Sequence, residues 1–221
     1  MSAQAPAITQ APSRTQPSGR VGESDLEQLL QASAALHRHL CPRQVLGVRM
    51  GMLAGKVLEL DTPRRDKRLL ALVETDGCAA DGVAAASGCW VGRRTLRVID
   101  FGKVAATFVD TIDGRALRIA PRPEIRLRAR EYAPGAKSRW AAQLEGYQRM
   151  PEQELLRAQE VRLVFSLARL LSKPGYRVAC RACGEEILNE REVLREGMTL
   201  CRACAGESYY QALSEPVPAA R

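Results

Sequence analysis

The sequence predicts an α+β fold, a mostly antiparallel sheet packed with helices, followed by a small C-terminal treble-clef zinc finger. Three observations carry this reading. Residues 24–58 repeat apolar side chains at helical spacing. Residues 69–120 hold short apolar runs broken by turns, and Asp113-Gly114 is a strong hairpin signal. Cys180-Arg-Ala-Cys183 and Cys201-Arg-Ala-Cys204 form two C-x2-C pairs seventeen residues apart, inside the spacing of a structural zinc site. A length of 221 residues suits one core and a smaller module. The expected divisions are a disordered tail over 1–23, a core over 24–171 and the finger over 176–212.

The first helix should start at a capping box of Ser24 and Glu27 and carry Leu26, Leu30, Ser33, His37 and Leu40 on one face. Pro42 suits a first helical position, so a second helix should follow with Cys41 at its N-cap. Gly47, Gly51 and Gly55 then recur every four residues. Glycine costs a helix about 1 kcal/mol each against alanine. Three on one face imply that another backbone packs closely there, from a sheet or from a second copy of the chain. Leu69 to Val73 reads as a buried strand, and Ala79 to Ser87 as a short helix stopped by Gly88. Residues 95–100, 104–111 and 116–120 read as strands. Ile125, Leu127 and Ala129 alternate with Arg126, Arg128 and Arg130, the pattern of a strand with one basic face. Helices are expected over 136–150 and 151–159, and a strand over 161–165.

The chemistry-bearing residues of the core concentrate in His37-Arg38-His39-Leu40-Cys41-Pro42, which holds both histidines of the chain. Thiolates and imidazoles recur together as metal ligands. A thiol at a helix start ionises more easily than a free cysteine, which makes Cys41 a candidate nucleophile, redox thiol or soft ligand. Cys78 and Cys89 bracket the small helix that follows the first strand, with Asp76 and Asp81 nearby. His37, His39, Cys41, Cys78, Cys89 and Asp76 are therefore the candidate core site, and they leave room for a second metal ion in addition to zinc. His37 and Cys41 would share a helix face; His39 would point away.

The net charge of +8 invites a nucleic-acid partner. The excess is local. Residues 115–139 carry eight basic residues against two acidic, whereas the last fifty residues carry seven of each. A basic zinc finger is thus not what the charge describes, and nucleic-acid binding is the less favoured alternative. No apolar run reaches the roughly 18 residues of a membrane span. Residues 1–22 lack the apolar stretch of a signal peptide. Seven cysteines in that context favour metal ligands over disulfides and a cytoplasmic location. There is no phosphate-binding glycine fingerprint.

In the C-terminal module, Cys180, Cys183, Cys201 and Cys204 can supply four thiolates to one tetrahedral zinc ion. With no open position the ion should be structural. A module this small depends on the metal for much of its folding energy.

His37-x-His39-x-Cys41-Pro42, Leu46-Gly47-x-Arg49-Met50-Gly51, Asp76-Gly77-Cys78-x-x-Asp81-Gly82, Gly88-Cys89 and Phe101-Gly102-Lys103 together resemble the FmdE family, named for formylmethanofuran dehydrogenase. The 180–204 module is similar to the finger that often follows that domain. The resemblance covers about residues 25–210. It implies an α+β core, commonly a homodimer, and an association with molybdenum or tungsten enzymes of one-carbon metabolism. It does not establish a reaction, so whether the chain is an enzyme stays open. Arg43 stands where the family often has glycine after Cys-Pro.

Overall fold

The computed structural model describes residues 23–213. The expected tail over 1–23 falls almost wholly outside them, as does the side chain of Ser24. The described residues begin with α1 (Glu23–His37), turn at Arg38 in the left-handed region, and enter α2 (Pro42–Leu58) with Cys41 as N-cap. The turn is held by Gln44, which is fully buried. Its Oε1 accepts from the Cys41 backbone N–H at 2.8 Å, and its Nε2 donates to the Ser33 carbonyl and Oγ at 3.0 and 3.1 Å.

β1 (Leu69–Val73) is buried along its whole length, which is why five consecutive residues are apolar. α3 (Cys78–Ser87) then crosses over to β2 (Leu96–Val98), parallel to β1. β3 (Ala106–Asp110), β4 (Ala116–Pro121) and β5 (Leu156–Val161) complete an otherwise antiparallel sheet of order β2-β1-β3-β4-β5. One face of the sheet (Leu69, Ala71, Val73, Phe108, Leu117, Ile119) packs on α2 and its neighbours. The other (Leu70, Leu72, Val109, Ala116) is covered by Leu163, Leu167 and Leu170, the last two from α7 (Leu167–Leu171), which follows β5.

On the glycine face of α2, Gly47 and Gly51 meet α3 of the same chain, and Gly55 meets Leu60 and Thr62. A Cβ on Gly47 would stand 2.8 Å from Val83 N and 3.0 Å from Gly82 Cα, and one on Gly82 would stand 2.9 Å from Val48 N. The two backbones touch, and the face offers nothing to a second copy. This corrects the expectation that the glycines pack on a sheet or on a symmetry mate.

Three further expectations are corrected. The alternating run 125–130 is not a strand: α4 (Ile125–Arg128) and a 3-10 turn (Ala129–Glu131) occupy it. Burial follows i and i+4, Ile125 and Ala129 inside, while Leu127 is 83% exposed. The expected helix over 151–159 is one turn, α6 (Glu152–Leu155); β5 takes its second half and ends at Val161, so the strand expected over 161–165 is not formed. α5 (Arg139–Arg149) lies within the helix expected over 136–150 and is capped by Ser138 Oγ. Its C-terminal end is held by Arg49 of α2. The half-buried guanidinium donates to the carbonyls of Tyr147, Gln148 and Met150 at 2.9–3.0 Å.

The finger consists of two hairpins, β6 (Arg177–Ala179) with β7 (Glu186–Leu188) and β8 (Val193–Arg195) with β9 (Met198–Leu200), then a kinked helical turn at Ala203–Glu207. Arg94 joins it to the core by donating to Asn189 Oδ1 at 3.1 Å and to the Leu171 carbonyl at 2.6 Å.

Candidate functional site

The contact between α2 and α3 brings two helix starts side by side. Cys41 caps α2, and Cys78 is the first residue of α3 after Gly77, whose positive φ lets the chain leave β1 and turn into the helix. His37, at the end of α1, reaches over the start of α3. Its Nε2 lies 3.2 Å from Cys78 Sγ, and its Nδ1 lies 2.8 Å from Asp81 Oδ2. With Nδ1–H donating to the Asp81 carboxyl, the Nε2 lone pair is left facing the thiol. Burial, and then the neighbouring Cys41, push the Cys78 thiol up from its ordinary value. His39 is exposed, its ring 4.7 Å from that of His37.

Cys41, Cys78 and His37 are thus brought together. Cys89 is not. It sits at the far end of α3, about 15 Å away for a ten-residue helix. It is 2% exposed, and its thiol donates to the Leu69 carbonyl at 3.3 Å. Burial pushes its pKa up, as in a packed core cysteine. Asp76 is exposed; the carboxylate that reaches the imidazole is Asp81, one turn into α3.

A cleft of about 510 Å³ opens over the two thiols. Leu46, Val104, Ile125, Trp140 and Tyr147 supply apolar wall, and Arg43, Arg122 and Arg126 line it as well. Sequence reasoning missed this cleft, because its lining comes from five separate segments and has no local spacing. Within the basic stretch 115–139, Arg115 pairs with Asp113, Arg118 with Glu74, and Arg128 with Glu131 and Glu154. Three of the eight basic residues there are therefore paired within the chain.

The second centre is in the finger. The sulfurs of Cys180, Cys183, Cys201 and Cys204 all lie within 4.8 Å of one another. Cys183 and Cys201 are 4.0 Å apart, close to the edge of about 3.8 Å that a tetrahedron of 2.3 Å zinc–sulfur bonds requires. Backbone N–H groups of Cys201 and Cys204 point at the sulfurs of Cys180 and Cys201 at 3.3 and 3.4 Å. Backbone donors, chiefly from Cys183 and Cys201, lower the Cys180 thiol to about 6, while Cys201 and Cys183 hold Cys204 up to about 12. The four crowd one position that a divalent cation fits. Among the described residues no other group brings three ligand atoms this close.

An α+β core with a thiol–imidazole cleft, joined to a four-cysteine module, is the class these observations define. Residues 36–157 match the family described as FmdE, molybdenum formylmethanofuran dehydrogenase operon, and the chain belongs to that family. Residues 168–210 match the prokaryotic dksA/traR C4-type zinc finger. A probable S-adenosyl-L-methionine-binding protein of Archaeoglobus fulgidus is 36% identical over 100 residues, 44% of this chain; the chain spans 27% of that relative's length. A solved FmdE-like protein from Syntrophus aciditrophicus, described as of the tungsten formylmethanofuran dehydrogenase type, shares the fold at 24% identity and a TM-score of 0.55, covering 84% of this chain and 95% of that one. No helix of the described residues is long and apolar enough to cross a membrane.

Proposed function

We propose that His37, Cys78 and Cys41 form a metal-binding thiol–imidazole site in a protein that serves molybdenum, tungsten or one-carbon enzymology, with the finger's zinc purely structural. The observation that carries it is the imidazole held between Asp81 and Cys78. A ligating histidine almost always gives its other N–H to a carboxylate, carbonyl or water, which fixes the tautomer and raises the basicity of the ligating nitrogen. Two donors already meet there, and Cys41 on the same cleft is the third. Zinc or another borderline ion suits such a set. The link to molybdenum and tungsten rests on the family description and on the name of the structural neighbour. The cytoplasm is the compartment that keeps these thiols reduced. Metal analysis tests the reading. Wild type should carry two equivalents, and Cys78→Ser and Cys180→Ser one each. One equivalent in wild type, unchanged in Cys78→Ser, would remove the core metal.

The same hydrogen-bonded chain supports a second reading. Asp81, His37 and Cys78 stand as orienter, base and nucleophile. Iodoacetamide on metal-stripped protein should then label Cys78 first of the core cysteines, and more slowly in His37→Ala. Equal rates in both proteins would end that reading. Nucleic-acid binding retains Arg122, Arg126, Arg130, Lys137 and Arg139 as contacts; a mobility shift at low salt tests it. A homodimer, if formed, uses a surface other than the glycine face, and sedimentation reports it.

A further inference from the structure

We propose that the cleft over Cys41 and Cys78 takes an organic anion, a carboxylate or phosphate on a flat apolar body, held by Arg43 and Arg126 with Arg122 beside them. The inference goes beyond the metal reading and depends on it only in placing the thiols at the floor. Three guanidinium groups and no carboxylate line the cleft. Among the described residues Arg43 and Arg126 are exposed and have no acidic partner, and Arg122 gives its Nε to the Gln153 carbonyl at 2.8 Å. Their neighbours in the chain are treated differently: Arg115, Arg118 and Arg128 each face a carboxylate. Arg43 also occupies the first turn of α2, which contains no acidic residue. A cation there opposes the helix dipole, and an anion in front of it relieves both. The remaining wall offers Trp140 and Tyr147 with Leu46, Val104 and Ile125, enough for a flat apolar group. The volume falls in the range of small-molecule sites.

The full-length Trp90→Phe protein leaves Trp140 as the single tryptophan reporter. Its fluorescence is titrated with phenyl phosphate, benzoate, inorganic phosphate and the neutral benzamide. Saturation by an aromatic anion is expected, with benzamide and inorganic phosphate each at least about tenfold weaker. Phenyl phosphate against benzoate decides between the two head groups. Arg43→Gln and Arg126→Gln should each weaken binding about tenfold, the value of one charged hydrogen bond. Both side chains are exposed, so an unchanged urea midpoint certifies the fold. Arg195→Gln, on the finger, should leave binding unchanged. Cys41→Ser/Cys78→Ser should keep anion binding whether or not it loses metal, which separates this inference from the metal reading. Benzamide binding as tightly as benzoate, no saturation by either anion, inorganic phosphate matching phenyl phosphate, or full affinity in both arginine variants would overturn it.

Discussion

Replacing Gly47 with alanine tests the contact on which the site depends. The new Cβ would run into the Ala79 carbonyl oxygen first and would lie 2.8 Å from Val83 N, where ordinary contact begins near 3.4 Å. Both neighbours are helix backbone, which cannot rotate aside as a side chain would, so α2 and α3 must separate by at least about 0.6 Å. A gap of 0.5–1 Å forfeits roughly a quarter to a half of the dispersion energy of each contact it opens. Overpacking of this kind costs about 1–3 kcal/mol and more where nothing yields. Alanine returns about 1 kcal/mol of helix propensity. At the upper end of that range the net loss should be about 2 kcal/mol, and at roughly 2 kcal/mol per molar urea the midpoint should fall by about 1 M. Gly92→Ala is the control, because nothing lies within 4 Å of its Cβ position and its φ is not positive; it should stay within about 0.5 kcal/mol of wild type. A Gly47→Ala midpoint within about 0.3 M of wild type, at unchanged slope, would show that the two helices do not touch as described.

Arg49→Met leaves three carbonyls at the end of α5 without their donor and should cost about 2–3 kcal/mol in urea unfolding; Arg49→Lys should recover part of it, and two neutral variants would show that the clasp is idle. Asp110 is fully buried against Arg68, whose hydrogen bonds hold its carboxyl below the ordinary range. A depressed native pKa means that this stability is present above about pH 4, the unfolded value, and is lost as pH falls through the native one. Asp110→Asn should therefore flatten the acid limb of the urea midpoint between pH 6 and 2, and parallel curves would refute the assignment. In the finger, Cys201→Ser leaves three thiolates, so residues 176–210 should become protease-sensitive while the core survives; equal resistance would show that no structural metal is held there.

Local signals suffice where one segment settles its own state. Leu69–Val73 is a strand because five apolar residues must be buried on both faces. Pro42 starts a helix and Gly88 stops one, since φ is nearly fixed in the first and positive in the second. The two C-x2-C pairs announce the finger, as ligand spacing is itself local. Period-2 alternation fails at 125–130 because the run is short and Ile125 and Ala129 satisfy helical spacing equally well.

The sequence alone determined that His37, Cys41 and Cys78 stand at element ends and that Gly47 and Gly51 receive a close neighbour. Only the tertiary structure decided that this neighbour is α3, and hence that two helix starts lie side by side with an imidazole on the second of them. It also decided that Asp81 rather than Asp76 orients that ring, and that Cys89 belongs to the core. Spacing along a chain specifies which residues can share a face. Which faces meet depends on burying apolar surface from segments that lie 40 to 100 residues apart, as His37 and Asp81 or Arg49 and Met150 do, and no single segment carries that information.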